Sequence, residues 1–578
     1  MNIPVLALGA CAVAHGAGVQ HGADLAVTVD LTAPTVPFVH NWKECVGSGH
    51  MLLGTRADWR EHLKLARDEL GFKRIRGHGL FDDDMSAVPN RDISPNKTMP
   101  YEFYNVDQVF GFLVDELGMK PVVELSFMPK ALAACGGPAP QPPCDYAFGG
   151  SGGYKGLTMP PDDPEQWYDL VAALCAHLVE RFGLAEVATW HFEVWNELWG
   201  IDFPEPAQRW DPRLYMSLYN HSARAVKSAH ASLQVGGPAT AQLQNVSGFL
   251  AACRAGGVPV DFVSSHFYPT DPQCATPATK GDIDCFTDRV LAAQQLAAAE
   301  KLPFFITEYN NGLGTTSRDD ASAAAFAFRQ VGQMQALDMF SWWTFSDIFE
   351  ENWMRSAPFH NGYGMMTVQG TRKPVWRAFQ ALAGAGTKRH AVEAGSTAGS
   401  TVSVLATDGG GGALDAQLFV ANWHRVDAQR YSCDAKQGTC AEDKHGGFTD
   451  EALCDENCGP AGDGRRAAAA VLDGLAWSSS SPALRDARNV TLTVKHAALP
   501  ASALPATVTA FRIDDTHANP QALWDSWGAP QYVTKVQVAS LDAASQVVPE
   551  VLPLARVSDT ESTVTLLLPS YSAVHIVM

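Results

Sequence analysis

The feature that most constrains this chain is an alternation of short β-rich apolar runs with amphipathic or Ala-rich helical stretches between about residues 38 and 385. Strands that alternate with helices of about 10–15 residues indicate a parallel β/α architecture. The runs are almost continuously apolar, as strands buried on both faces must be. Eight such runs are present, at Val36–His40, Phe72–His78, Pro121–Phe127, Thr189–Glu197, Leu233–Gly237, Asp261–Tyr268, Phe304–Asn310 and Met339–Asp347.

Eight repeats of this kind predict a closed (β/α)8 TIM barrel, which we place at residues 38–388. A doubly wound open sheet is the alternative. That fold usually has a glycine-rich phosphate-binding turn after its first strand, and Gly47-Ser48-Gly49 does not have the required spacing. The pattern therefore favours an α/β chain whose catalytic domain is a barrel.

From residue 389 to residue 578 the helical periodicity gives way to short β runs separated by turn residues, which is typical of an all-β sandwich. A strand-like segment at residues 24–37 precedes the barrel and is a candidate to join this sandwich. Residues 433–465 form a Cys-rich insertion, which indicates disulfides, with a zinc site as the alternative. The four cysteines of this insertion are Cys433, Cys440, Cys454 and Cys458.

Several features predict export from the cytoplasm. Residues 1–23 are small and apolar, as in a secretory signal peptide, although the usual basic start is absent. The pairs Cys135/Cys144 and Cys274/Cys285 flank short loops, a spacing that indicates disulfides in an exported protein. Sequons for N-glycosylation occur at Asn96, Asn220, Asn245 and Asn489.

The charge balance is acidic, with 42 Lys+Arg against 62 Asp+Glu and a formal net charge of −20. A nucleic-acid partner would require a clustered basic face, so we expect none. After the leader, no stretch of about 20 apolar residues is present, so we expect no membrane span. The composition suits a protein that acts on a neutral ligand.

In a barrel enzyme the reacting groups lie where the strands end and the βα loops begin. Two carboxylates stand out there, Glu197 at the end of the fourth run and Glu308 at the end of the seventh. Glycosidic bond hydrolysis requires two carboxyl groups on opposite sides of the anomeric carbon, about 5 Å apart in a retaining enzyme. Salt bridges under a loop are the alternative explanation for either residue. We predict that Glu197 is the acid/base and Glu308 the nucleophile.

Longer motifs resemble glycoside hydrolase family 39, the β-xylosidases and α-L-iduronidases of the 4/7 barrel superfamily. The resemblance covers nearly the whole chain after the leader. The motifs are Phe38-Val39-His40-Asn41-Trp42, Cys45-Val46-Gly47-Ser48-Gly49, His78-Gly79-Leu80-Phe81-Asp82, Trp195-Asn196-Glu197, Ile306-Thr307-Glu308-Tyr309-Asn310, Trp342-Trp343-Thr344-Phe345-Ser346-Asp347 and Phe511-Arg512-Ile513-Asp514.

The resemblance implies roles for further residues. Asn196 would bond the sugar 2-OH, a contact that strengthens in the transition state. Tyr268 would hold an oxygen of the nucleophile, Trp343 would form a stacking floor, and Glu350 and Glu351 would bind outer hydroxyls. The pocket around the reacting sugar would be lined by His40, His78, His266 and Tyr268. No metal and no cofactor are expected, because no helical His-x-x-x-His spacing accompanies these histidines.

The resemblance also leads to an expected substrate, a β-D-xyloside in an oligosaccharide or glycoconjugate. Glu350 and Glu351 would repel the carboxylate of a uronide, although Arg355 is near in sequence. The alternative substrates are β-glucosides, α-L-arabinosides and α-L-iduronides. Two other classes stay open: a carbohydrate-binding relative without activity, and a secreted adhesion or wall protein in which the sandwich carries the function.

Overall fold

The computed structural model describes residues 25–88, 101–134, 156–197, 212–276, 279, 282–314, 317–352, 354–393, 400–425, 431–434, 439–442 and 487–578. Some of the predicted features lie outside these residues. They are the leader at residues 1–23, the sequon at Asn96, and the cysteines Cys135, Cys144, Cys454 and Cys458.

The predicted (β/α)8 barrel with a separate β domain is confirmed. Two short strands, β1 (Leu25–Asp30) and β2 (Val36–Pro37), come first. Eight parallel strands then close into a barrel, and the last pairs with the first. They are β3 (Val46–His50), β4 (Arg74–His78), β5 (Lys120–Leu125), β6 (His191–Val194), β7 (Gln234–Thr240), β8 (Phe262–His266), β9 (Phe304–Tyr309) and β10 (Met339–Trp342).

Helices follow the barrel strands, and local sequence explains several of their ends. The helix at Pro164–Phe182 begins with proline in its first turn, and the Asp163 carboxylate accepts from the Glu165 N–H at 3.0 Å. The helix at Ala57–Leu70 ends at Gly71, whose φ of 78° suits glycine. The helices are α1 (Ala57–Leu70), α2 (Tyr104–Gly111), α3 (Pro164–Phe182), α4 (Leu184–Val187), α5 (Pro212–Ala229), α6 (Val246–Gly256), α7 (Cys285–Ala299), α8 (Ala321–Gln333) and α9 (Pro374–Ala383).

The first barrel strand differs from the prediction. It is β3 rather than the run Val36–His40, which lies before the barrel and supplies β2 to the sandwich. Val36 and Val39 are 47% and 48% exposed, so this apolar run is not a buried strand. The Gly-Ser-Gly of β3 hid the true strand, because glycine is poor in β propensity. Its glycines make room instead: a Cβ on Gly47 would lie 2.3 Å from the Trp343 ring.

The C-terminal domain has two facing sheets, of five and seven strands. β1 lies within the first sheet, parallel to one C-terminal strand, so the N-terminal segment is part of the sandwich. The remaining strands are β11 (Lys388–Arg389), β12 (Ala391–Val392), β13 (Val402–Asp408), β14 (Ala416–Asn422), β15 (Tyr431–Asp434), β16 (Thr439–Glu442), β17 (Arg488–Lys495), β18 (Thr507–Ile513), β19 (Pro549–Pro553), β20 (Ala555–Arg556), β21 (Glu561–Leu568) and β22 (Ser572–Val577), with helices α10 (Pro520–Ser526) and α11 (Lys535–Ala544) between β18 and β19. The first sheet has the order β12-β1-β17-β21-β20 and the second β19-β18-β22-β14-β13-β11-β2.

The sandwich packs on the barrel through α8. This helix is buried all round, as an Ala- and Phe-rich helix between two layers must be. Phe326 meets the Trp423 ring at 5.0 Å between centroids, and Phe328 meets Phe419 at 5.3 Å. Of the helices in the described parts of the chain, none has the length and apolar character required to cross a membrane.

Candidate active site

The two predicted catalytic glutamates meet at the C-terminal end of the barrel. Glu308 is the penultimate residue of β9, and Glu197 lies three residues beyond β6. Three atoms lie within 4.8 Å of one another: one carboxylate oxygen of Glu197, one of Glu308, and a ring nitrogen of His266 at the end of β8. This separation matches the pair of carboxyl groups in a retaining glycosidase and is too short for the wider gap of an inverting one.

Donors hold both oxygens of Glu308, which is 4% exposed. The Arg76 Nη1 donates to Oε1 at 2.7 Å, and the Tyr268 hydroxyl donates to Oε2 at 2.8 Å. Burial raises the pKa of Tyr268 well above its usual value, with a further rise from the charge of Glu308, so the phenol keeps its proton. These hydrogen bonds from a cation and a phenol hold the carboxylate of Glu308 in one orientation.

Glu197 has a different environment. Its side chain is 16% exposed, and its Oε1 lies 2.9 Å from Nδ1 of His266. Burial lowers the pKa of His266 to about 4, so the imidazole is neutral and brings no positive charge to Glu197. Glu197 and Trp195 both have positive φ, at 52° and 73°, and the Glu197 N–H donates to Ala239 O at 2.9 Å. Left-handed backbone is unusual for such residues and occurs often at active sites.

The structure brings Asn196, His78 and Trp343 to the same site. The Asn196 Oδ1 accepts from Arg76 Nη2 at 2.9 Å, which leaves the amide NH2 as the donor to a ligand. His78 lies 3.6 Å from Glu308 Oε1 through Nε2, and its ring centroid is 4.7 Å from that of Trp343. Trp343 lies directly over Gly47 of β3.

The two acids after β10 are also near. Glu351 Oε1 lies 3.7 Å from His78 Nε2 and is partly exposed. Glu350 is buried, and its Oε1 accepts from the His50 N–H at 2.6 Å. Burial raises the pKa of Glu350 above its usual value. Glu351 therefore lies beside His78 in a partly exposed position, whereas Glu350 is buried against the backbone of β3.

His40 was predicted to line the pocket, and this prediction is wrong. Its ring Nε2 lies 2.9 Å from Gly386 O, and its ring packs on Trp42 at 4.7 Å. His40 comes six residues before β3 starts, so it lies at the end of the barrel opposite the strand ends that carry the glutamates. The error follows from the wrong first strand, because His50 is the residue that ends the true one.

Sequence reasoning missed the central role of Arg76 and the presence of Tyr363. Arg76 is fully buried among carboxylates, and a charged residue close to the end of a predicted barrel strand was a usable signal. Tyr363 lies in the long segment after β10, and Arg318 stands 4.3 Å from its ring centroid. Burial raises the pKa of Tyr363, with smaller contributions from Glu351, Glu308 and Glu197, which places its phenol among the site acids. No local motif marks this tyrosine.

The site is rich in paired charge. Burial alone would lower the pKa of His78, but Glu124 and Glu308 outweigh it and raise the pKa to about 9. His78 is therefore a cation at neutral pH, with its Nδ1 2.8 Å from Glu124 Oε2. Glu197, His266 and Glu308 are also close enough to share a metal ion. Both Glu308 oxygens already accept hydrogen bonds, which argues for a carboxylate that acts directly.

The disulfide predicted between Cys274 and Cys285 is formed. It closes the loop after β8, in which the Asp271 Oδ2 accepts from the Tyr268 N–H at 2.9 Å. Arg425 of the sandwich donates to Thr279 O in the same loop at 2.8 Å. The loop that carries Tyr268 is thus tied both to itself and to the second domain.

A TIM barrel whose fourth and seventh strands bring two glutamates together across one mouth is the structure of a glycoside hydrolase. The sequence profile of glycosyl hydrolases family 39 matches residues 25–427. The chain belongs to this family.

Three relatives are similar to the chain. A beta-xylosidase of Caldicellulosiruptor saccharolyticus is 38% identical over 355 residues, which cover 59% of this chain and 68% of that protein. A beta-xylosidase of Geobacillus stearothermophilus is 36% identical over 359 residues, with the same coverage of 59% and 68%. The crystal structure of a monomeric beta-xylosidase from Caulobacter crescentus CB15 superposes with a TM-score of 0.69 at 25% identity and covers 96% of this chain and 99% of that one.

Proposed function

We propose that this protein is a retaining exo-acting β-xylosidase that uses Glu308 as the nucleophile and Glu197 as the acid/base. The observation that carries the proposal is the approach of the two carboxylates within 4.8 Å. At this separation one carboxylate reaches the anomeric carbon while the other reaches the glycosidic oxygen, with no space for a water between them. The names of the two curated relatives above support the choice of xyloside as substrate.

In the first step Glu308 attacks the anomeric carbon, the glycosidic C–O bond breaks, and Glu197 gives its proton to the leaving oxygen. In the second step Glu197 takes a proton from water, whose oxygen attacks the same carbon and releases Glu308. Arg76 and Tyr268 hold the attacking carboxylate in one orientation in the resting enzyme. The neutral His266 contacts Glu197 through Nδ1 and places no positive charge beside it.

The remaining pocket residues support a neutral sugar. The Asn196 amide is oriented by Arg76 and is placed to donate to the sugar 2-OH. The cations Arg76 and His78 are already paired with Glu124 and Glu308. Glu351 adds a further negative charge at the pocket border. The two cations beside Glu308, Arg76 and His78, are thus engaged by acids, so the carboxylate of a uronate would meet a negative lining there, whereas a pentose hydroxyl can donate to the same acids.

The test is a panel of aryl glycosides, namely β-D-xyloside, β-D-glucoside, α-L-arabinoside and α-L-iduronide, with the product anomer followed by proton NMR. We expect the xyloside to have the highest kcat/KM and the first-formed product to be β-xylose. An α-xylose product would contradict the retaining mechanism. Preference for the iduronide would contradict the assigned sugar while leaving the glutamate pair intact.

We also propose that the enzyme works outside the cytoplasm. The Cys274–Cys285 disulfide supports this, because such bonds persist in oxidising compartments. Three sequon asparagines, Asn220, Asn245 and Asn489, are partly exposed. Expression of the full chain in its native host, followed by activity assays on culture medium and cell lysate, tests the proposal. Activity confined to the cytoplasmic fraction would contradict it.

A further inference from the structure

A fully buried carboxylate lies in the barrel below Glu308 and has no part in the mechanism above. This residue is Glu193 in β6, with no exposed surface. Its Oε2 accepts from Arg76 Nε at 2.5 Å, and its Oε1 accepts from the Thr307 hydroxyl at 2.9 Å. Thr307 immediately precedes Glu308 in β9, and Arg76 also donates to Glu308. Glu193 is thus connected to Glu308 by two routes, one through a guanidinium and one through the backbone.

The guanidinium of Arg76 is shared between three carboxylates. Its distances to them are 2.7 Å for Glu124, 2.5 Å for Glu193 and 2.7 Å for Glu308. Coulomb energies add pairwise, so the attraction of Arg76 for Glu308 is partly offset by the repulsion that Glu308 meets from the other two carboxylates. Burial of a carboxylate is costly even when it is paired, so a buried acid at this place requires an explanation beyond stability.

We propose that Glu193 is a positioning residue that weakens the hold of Arg76 on Glu308 and thereby keeps the Glu308 carboxylate reactive as a nucleophile. The proposal rests on the proposed function, in which Glu308 attacks the sugar. Without Glu193, less negative charge would offset the positive charge of Arg76 at the attacking oxygen of Glu308, and this oxygen would be less nucleophilic. Thr307 would also lose the acceptor that fixes its side chain next to Glu308.

Among the described residues, Arg76 is the cation that contacts Glu193, and the other carboxylates on this cation are those of Glu124 and Glu308. Cys45, just before β3, is near, but burial raises the pKa of its thiol to about 12. His266 from β8 is also near, and burial keeps it neutral, with a pKa of about 4. Within the part of the chain that the structure describes, the titratable groups that face Glu308 are Arg76, His78, Glu197, His266, Tyr268 and Tyr363.

The deciding variant is Glu193→Gln, which keeps the shape and removes the charge. We expect kcat on an aryl xyloside to fall about tenfold while KM stays within about twofold, because Glu193 does not touch the sugar. We also expect the acidic limb of the kcat/KM profile to move to lower pH. This direction follows because the loss of a nearby negative charge makes the electrostatic potential around the reacting groups more positive.

The matched control is Asp319→Asn. Asp319 is also buried and ion-paired, with its Oδ1 2.6 Å from Lys373 Nζ, but Lys373 and not Arg76 is its partner. We expect this variant to lower Tm and to leave the acidic limb in place. If Glu193→Gln is folded and the acidic limb of its kcat/KM profile coincides with that of the wild type, Glu193 has only a structural role and the proposal is overturned.

Should Glu193→Gln fail to fold, Thr307→Val provides the second test, since it removes only the hydroxyl that Glu193 accepts from. A kcat lowered about threefold or more at unchanged KM supports the proposal, and an unchanged kcat overturns it. The Glu308→Ala variant tests the assignment of Glu308 as the nucleophile separately from the positioning role of Glu193. Suppose that Glu308→Ala is inactive and rescued by azide, while the acidic limb of the kcat/KM profile of Glu193→Gln coincides with that of the wild type. The assignment of Glu308 as the nucleophile is then supported, and only the positioning role of Glu193 is overturned.

Discussion

Replacement of Tyr268 by phenylalanine removes one hydroxyl and keeps the ring. The hydroxyl donates to Glu308 Oε2 at 2.8 Å, and the tyrosine is 4% exposed. A hydrogen bond to a charged group contributes about 1.5–3 kcal/mol. Because about 1.36 kcal/mol corresponds to a tenfold change in rate, we expect Tyr268→Phe to lower kcat/KM by between about 13-fold and 160-fold. The loss should appear mainly in kcat, since the bond orients the nucleophile rather than the substrate.

The assay is the initial rate of aryl xyloside hydrolysis, with Tm measured on the same preparation. Tyr219→Phe is the matched control, because its hydroxyl is also buried and donates to Pro259 O at 3.0 Å, away from the glutamates. We expect that control to change kcat/KM by less than about twofold. A Tyr268→Phe enzyme with more than half the wild-type kcat, or with a loss confined to KM, would refute the reasoning.

Glu308→Ala should fold normally and lose turnover, and added azide should restore activity with an inverted glycosyl azide as product; full activity without azide would show that another residue attacks. Glu197→Ala should lose much more rate on substrates with poor leaving groups than on activated aryl xylosides, since the residue supplies the proton. An equal loss on both substrates would remove that role. The pKa of His78 is raised from 6.5 to about 9, so its contribution to stability is complete below pH 6.5 and is lost as pH rises through 9. Tm should therefore fall over that interval, and it should fall less in Glu124→Gln, which lacks the main partner of the cation; identical profiles would contradict the pairing.

Local patterns predicted most of the barrel because strands buried on both faces have to be apolar and have to alternate with helices. They failed at β3, where Gly47 and Gly49 replace apolar residues so that Trp343, Phe349 and Glu350 can lie against the strand. The residues that require this space lie about 300 positions away in sequence. A pattern read over a short stretch of sequence therefore does not include them. The same failure misplaced His40 and concealed His50.

The glutamate pair could be located because residues at the ends of parallel strands share one edge of a barrel. Arg76 was visible at such an end, but the three carboxylates that share its charge come from β5, β6 and β9. Tyr363 gave no local signal, since it reaches the site from a long segment after the last strand. Contacts of this kind depend on the closure of the barrel and not on the neighbours of a residue in sequence.

The amino-acid sequence by itself determined the two-domain plan, the barrel, and the two glutamates. Each of these follows from periodicity or from position at a strand end, which are local properties. Only the tertiary structure decided which run closes the barrel, that β1 and β2 belong to the sandwich, and how the charge of Arg76 is divided. The physical reason is that packing volume and electrostatic energy depend on distances in space, and closure of the barrel brings together residues that are far apart along the chain.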